Sequence, residues 1–127
     1  MPLALNTVRS LWRLYAIGVY CMLTFVETHV FTRRVTALLT DAQFSALQWA
    51  LGMAPDYGDI IPGTGGLRKV RWGIEGRGKR GGLRVIYYWS KPAGVIYLLL
   101  VFEKTRRVDL TVGERRALAK LVREELA

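Results

Sequence analysis

Apolar and polar positions change period several times along this 127-residue chain, and each change marks an element. Leu23 to Glu27 alternates and is rich in β-formers, which predicts a first strand. Thr32 is placed to cap a short helix running through Arg33 to Leu39. Thr40-Asp41-Ala42-Gln43 then has the form of a capping box, with a Thr cap and a Gln three residues on. It opens a helix with Phe44, Leu47 and Leu51 at helical spacing, which Gly52 can close in a left-handed conformation. Residues 53–66 hold Pro55, Gly58, Pro62, Gly63, Gly65 and Gly66 and read as loop. Period-2 patterning returns at Leu67–Trp72, Leu83–Trp89 and Val95–Glu103. The last of these is almost wholly apolar, as expected of a strand covered on both faces. Lys91-Pro92-Ala93-Gly94 supplies the turn before it. Thr111-Val112-Gly113-Glu114 is a second capping box, opening a final helix with Leu118, Leu121 and Val122 inward and Arg115, Arg116, Lys120 and Arg123 outward.

The order strand, helix, helix, strand, strand, strand, helix predicts an α+β domain: a small, mainly antiparallel sheet with two helices on one face and a C-terminal helix, in two layers with the other sheet face partly open. The length suits one domain, and 51% apolar residues can build its core. Residues 1–21 stand apart. Arg9 and Arg13 precede an apolar run from Leu14 to Val26, the order of a signal peptide, but no small-x-small cleavage site follows. The run is also short of the roughly 20 residues that span a bilayer. A start at Met22 would open cleanly on the first strand. The expected division is therefore an N-terminal extension over 1–21, or a misassigned start, and a domain over 22–127. The alternative is an extra helix packed on the domain.

Charge sharpens the picture. Leu67 to Arg84 holds seven cations (Arg68, Lys69, Arg71, Arg77, Lys79, Arg80 and Arg84) against one acid, Glu75, which is +6 of a formal net charge of +9. Like charges so concentrated weaken a hairpin unless a polyanion binds there. Nucleic acid or ribosome is the leading partner class, with an anionic membrane surface second. One cysteine, Cys21, excludes an internal disulfide, and with a single histidine, His29, no zinc site can be built. Neither a metal nor a cofactor is expected.

Side chains alternate along a strand, so Lys69 and Arg71 share one face while Val70 and Trp72 share the other. Arg84, Ile86 and Tyr88 share a face on the next strand. If the apolar sets cover the helices, Lys69, Arg71, Arg84 and Tyr88 meet on the open face, where cations hold phosphates and a ring stacks on a base. Arg77, Lys79 and Arg80 in the glycine-rich turn add RNA-binding cations, and Arg68 falls on the opposite face as a structural or rim charge. Gly76 to Gly81 fits G-x-G-x-x-G but precedes a strand rather than a helix, so a dinucleotide site is excluded. A solvated charged face without a partner is the bland alternative.

The run Gly63-Thr64-Gly65-Gly66-Leu67-Arg68-Lys69-Val70-Arg71-Trp72, then Gly81 to Tyr88, then Leu98 to Lys104, resembles the RelE/HigB family of bacterial type II toxin–antitoxin toxins, in particular its HigB-like branch. The similarity spans about Met22 to Val122. The resemblance implies a RelE-like fold and a metal-independent, cytoplasmic mRNA endonuclease. Such an enzyme acts on mRNA in the ribosomal A site against 16S rRNA and inhibits translation. It also implies a helix-turn-helix, HigA-like antitoxin as partner, with DNA reached only through that antitoxin. The family's basic set falls on Lys69, Arg71 and Arg84. Its cation after the last strand falls on Lys104, with Arg106 or Arg107 as alternatives. The C-terminal tyrosine of the best-studied branch has no counterpart here.

In such RNases the substrate's own 2′-hydroxyl attacks the adjacent phosphorus. With no carboxylate or histidine expected on the candidate face, Arg84 and Arg71 are assigned to the phosphate, Lys69 to the base among neighbouring cations, and Lys104 to the leaving-group acid. Rival readings are a gyrase inhibitor of the ParE branch, which lacks the basic set, a non-catalytic RNA-binding module, and a membrane role through residues 1–26.

Overall fold

A computed structural model describes residues 5–16, 19–73 and 82–127, with side chains from residue 23 onward. Six strands form one sheet in the order β1-β2-β6-β5-β4-β3. They are β1 (Leu5–Ala16), β2 (Val19–Thr28), β3 (Asp59–Ile60), β4 (Arg68–Trp72), β5 (Leu83–Ser90) and β6 (Val95–Glu103). Only the β2–β6 pair is parallel; the other neighbours run antiparallel. The helices are α1 (His29–Leu38), α2 (Asp41–Met53) and α3 (Val112–Leu121), the last continued by a π-helical turn over Val122–Leu126. The class is α+β, as the pattern of elements predicts.

The helix starts follow side-chain caps. Thr40 and Gln43 close a reciprocal capping box on α2, and Thr111 and Glu114 do the same on α3. For α1 the predicted cap is corrected. The cap is Thr28, whose hydroxyl accepts from the Phe31 N–H and donates to the Leu99 carbonyl at 2.7 Å. Thr32 lies inside the helix and donates to buried Glu27, whose carboxyl burial pushes up. Gly52 likewise sits within α2, which runs on to Met53.

Two apolar clusters sandwich the sheet. On one face Val70, Leu83, Val85, Tyr87, Leu98 and Val101 pack against Phe31 and Val35 of α1 and Leu47 and Leu51 of α2. On the other, Ile86, Leu100 and Phe102 meet Leu118, Leu121 and Val122 together with Ile61 and Leu67. The face expected to be open is therefore closed over its middle by the C-terminal helix. The reason lies in the strand alternation: Ile86, Leu100 and Phe102 are an apolar row that needs a cover.

Residues 5–16 are not the extra helix weighed as an alternative. They form β1, whose register places Arg13 opposite Met22 and Trp12 opposite Leu23. β2 accordingly begins at Val19 rather than Leu23. The long loop also holds β3, short but paired with β4 through Asp59–Lys69 and Ile60–Arg68.

Candidate functional site

β4 and β5 set out the predicted cations by parity. Arg71 stands opposite Arg84, Lys69 opposite Ile86, and on its other side Arg84 stands opposite Phe102. Because Ile86 and Phe102 lie in the cluster under α3, all three cations occupy α3's face of the sheet.

Arg84 is buried, at 6% exposure. Among the described residues its guanidinium makes one hydrogen bond, from Nη1 to the Leu83 carbonyl at 3.3 Å, and no carboxylate bridges it. Burial, and after it the positive charge of Arg71, hold its pKa below the ordinary arginine value. Two cations are thus brought together with no acid between them among the described residues, Arg71 exposed and Arg84 mostly covered. A Cβ at Gly82 would come within 3.2 Å of the Trp72 carbonyl oxygen and 3.8 Å of Arg84 Nη1, so the bare glycine keeps this corner open.

Lys69 has a different setting. Its Nζ meets Asp109 Oδ1 at 3.5 Å. The Leu110 N–H bond holds the Asp109 carboxyl below the usual carboxylate range against the opposing effect of burial, with the charges of Lys69 and Arg115 adding to it. The expectation that only cations surround Lys69, with no carboxylate on the face, is corrected: the turn after β6 carries Asp109 back to β4.

That turn also gives two of the cations that follow Phe102 partners of their own. Arg107 lies over the Phe102 ring at 4.5 Å and donates to Glu114, while Arg106 pairs with Glu103. Burial raises the Glu114 carboxyl, but the Arg107 bond and the Thr111 N–H outweigh it and hold the group below its ordinary value. Arg107 Nη2 is buried without a partner. Lys104 is exposed. Its backbone N–H reaches the Gly82 carbonyl at 3.2 Å, which puts it at the same end of the sheet as Arg84, with no side-chain bond to the other three predicted catalytic residues.

Tyr88 is not brought to the cations. It lies four residues, or about 13 Å of strand, from Arg84. There its ring neighbours Tyr97 at 6.4 Å and sits over Gly66, where a Cβ would approach to 3.1 Å. Arg77, Lys79 and Arg80 lie outside the described residues. Arg68 faces the other way and donates to the carbonyls of Gly58 at 2.8 Å and Asp56 at 3.2 Å, pinning the loop ahead of β3.

Sequence reasoning missed Asp109, Arg107 on Phe102, and Glu114 as an ion-pair partner. Only the capping-box role of Glu114 had a local signal. Among the described residues no group of three or more His, Cys, Asp or Glu is placed to hold a metal, and no helix is long and apolar enough to cross a membrane. The chain was compared with protein-family models, and none matches.

Proposed function

We propose that this chain is the toxin of a type II toxin–antitoxin pair: a cytoplasmic, ribosome-dependent mRNA endonuclease restrained by a helix-turn-helix antitoxin. The observation that carries the proposal is Arg84, a guanidinium buried to 6% exposure beside Arg71 with no acidic partner among the described residues. A buried cation without a counter-ion is costly in the empty fold and becomes favourable when an anion arrives. A phosphodiester suits it, because a guanidinium fork binds phosphate oxygens bidentately.

The chemistry follows from what surrounds that pair. The 2′-oxygen attacks phosphorus, the bond from phosphorus to the 5′-oxygen breaks, and the products are a 2′,3′-cyclic phosphate and a free 5′-hydroxyl. Arg84 and Arg71 stabilise the charge that builds on the phosphoryl oxygens. Asp109, held by Lys69, accepts the 2′-hydroxyl proton. Lys104, at the same end of the sheet, donates a proton to the leaving oxygen.

The test is induction of the chain in cells without antitoxin, followed by primer extension on abundant messages. Purified protein with mRNA, with and without ribosomes, gives the matching assay in vitro. Expected are new 5′ ends within coding regions and cleavage only on programmed ribosomes. Intact mRNA with damaged DNA would indicate a gyrase poison instead. Intact mRNA with tight RNA binding would indicate a non-catalytic module.

A further inference from the structure

A second cationic surface runs along the outer side of α3. Arg115, Arg116, Lys120 and Arg123, with Gly63 and Ala119, line a groove of about 360 Å³. Arg116, Lys120 and Arg123 are exposed and have no salt bridge among the described residues. Their spacing of four and three residues stacks like charges on one stripe, which weakens a helix. Arg115 and Arg116 also sit near the N-terminal end of α3, where the helix dipole disfavours cations. Lys120, in the last turn of α3, is favoured by the same dipole, so the cost falls on the Arg115–Arg116 end and on the stacked like charges, and a bound polyanion would relieve it.

The opposite wall of the groove is fixed. Thr64 donates to the Ile61 carbonyl at 2.6 Å and accepts from the Leu67 N–H, which shapes the turn at Gly63. Arg115 Nη2 donates to the Pro62 carbonyl at 3.2 Å, tying α3 to that turn. The groove also adjoins the candidate site, because Arg115 acts on Asp109, the partner of Lys69. A cationic path thus leads from β4 past Asp109 and along α3. Arg115 to Arg123 is eight residues, about 12 Å of helix, long enough to face more than one phosphate of a single strand.

We propose that α3 and the π-helical turn after it carry a phosphate-binding track for single-stranded RNA, from Arg115 to Arg123, that holds the strand flanking the Lys69, Arg71 and Arg84 face. It rests on the RNA reading of that face. The charged side chains lining the groove are all cations, and its uncharged lining is limited to Gly63 and Ala119, with no large apolar side chain to anchor a peptide, which suits a phosphate backbone.

The test uses the full chain and a triple variant, Arg116→Ala, Lys120→Ala and Arg123→Ala. These residues are exposed, and alanine keeps the helix. Binding of a labelled single-stranded oligouridylate is followed by anisotropy over a salt series. Losing three phosphate contacts on a single strand should make the slope of log affinity against log salt shallower by about 2, with affinity at low salt falling at least about tenfold. If the wild type binds with a steep slope and the variant keeps that slope, the track is refuted and the RNA reading of the main face stands. If the wild type shows no salt-dependent RNA binding, both fall together. Tighter binding of polyglutamate or phosphatidylglycerol vesicles than of oligouridylate, lost in the triple variant, overturns the assignment to RNA.

Discussion

Replacing Arg84 by methionine separates what this residue does for the fold from what it does for a ligand. Methionine keeps an unbranched chain of similar reach and removes the charge. In the folded protein the guanidinium is buried to 6% exposure, faces Arg71 across the strand pair and has one 3.3 Å bond to a neighbouring carbonyl. Losing that bond costs about 1 kcal/mol. Removing a buried charge that no described acid pairs, and its repulsion from Arg71, returns more, by analogy with buried ion pairs whose apolar replacement stabilises by about 1–4 kcal/mol. The expected net is a gain on the order of 1 kcal/mol, or roughly 4 °C in Tm for a chain of this size. The same change should slow mRNA cleavage about 100-fold, the loss of about 3 kcal/mol of transition-state stabilisation. Urea unfolding gives the first quantity, and primer extension on programmed ribosomes, with growth arrest on induction, gives the second. A methionine variant destabilised by more than about 1 kcal/mol would show Arg84 to be a satisfied structural cation. One that stays fully toxic would remove it from the site.

Asp109→Asn should change stability by less than about 0.5 kcal/mol, since the pair with Lys69 is solvent-exposed, yet lower cleavage at least about tenfold; unchanged cleavage discards Asp109 as proton acceptor. Because the Asp109 carboxyl is held below its ordinary value, its contribution is present above about pH 4 and lost as pH falls through the lowered folded value. The acid limb of a stability-against-pH curve should therefore be shallower in the variant. Tyr87→Phe removes a buried hydroxyl that accepts from the Gly58 N–H and donates to the Pro55 carbonyl, both at 2.8 Å, and should cost about 1–3 kcal/mol in urea unfolding. Burial raises the Tyr87 hydroxyl pKa, so the wild type should lose stability as pH rises above about 10, a loss absent from the variant. Gly58→Ala puts a Cβ 2.9 Å from the Tyr87 ring and 3.0 Å from the Lys69 carbonyl oxygen. It should destabilise by about 1–3 kcal/mol, and a neutral result would show that this loop is not packed on β4.

What the sequence disclosed about this fold depended on how local each cause is. Both capping boxes were legible because four consecutive residues carry the whole device. The shared face of Lys69, Arg71 and Arg84 was legible because alternation fixes parity within a strand. The start of α1 was not, since Thr28 was chosen over Thr32 partly through a bond to Leu99, 71 residues away. β3 is extended only because β4 lies beside it, and its glycine- and proline-rich surroundings argue for loop. β1 was hidden for a similar reason: no clear local alternation marks the segment as a strand, and its extended form comes from antiparallel pairing with β2. Asp109 reaches Lys69 across 40 residues, beyond any periodicity.

The segment between β6 and α3 therefore decides which cations of this face can take a ligand. It delivers Asp109 to Lys69 and sets Arg107 on Phe102 with Glu114 as its acid. Each of those two cations is partly neutralised by the fold itself. Arg71 and Arg84 have no ion pair among the described residues, although the sheet places them directly opposite one another. An arriving phosphate would meet two cations that no described acid pairs, one of them at 6% exposure, where a charge-assisted bond is stronger than in open water. Lys69, already engaged, is left to position the carboxylate. The division of labour inferred for this face, with the anion held at Arg84 and Arg71 and proton transfer at Asp109, follows from which charges the fold pairs and which it leaves alone.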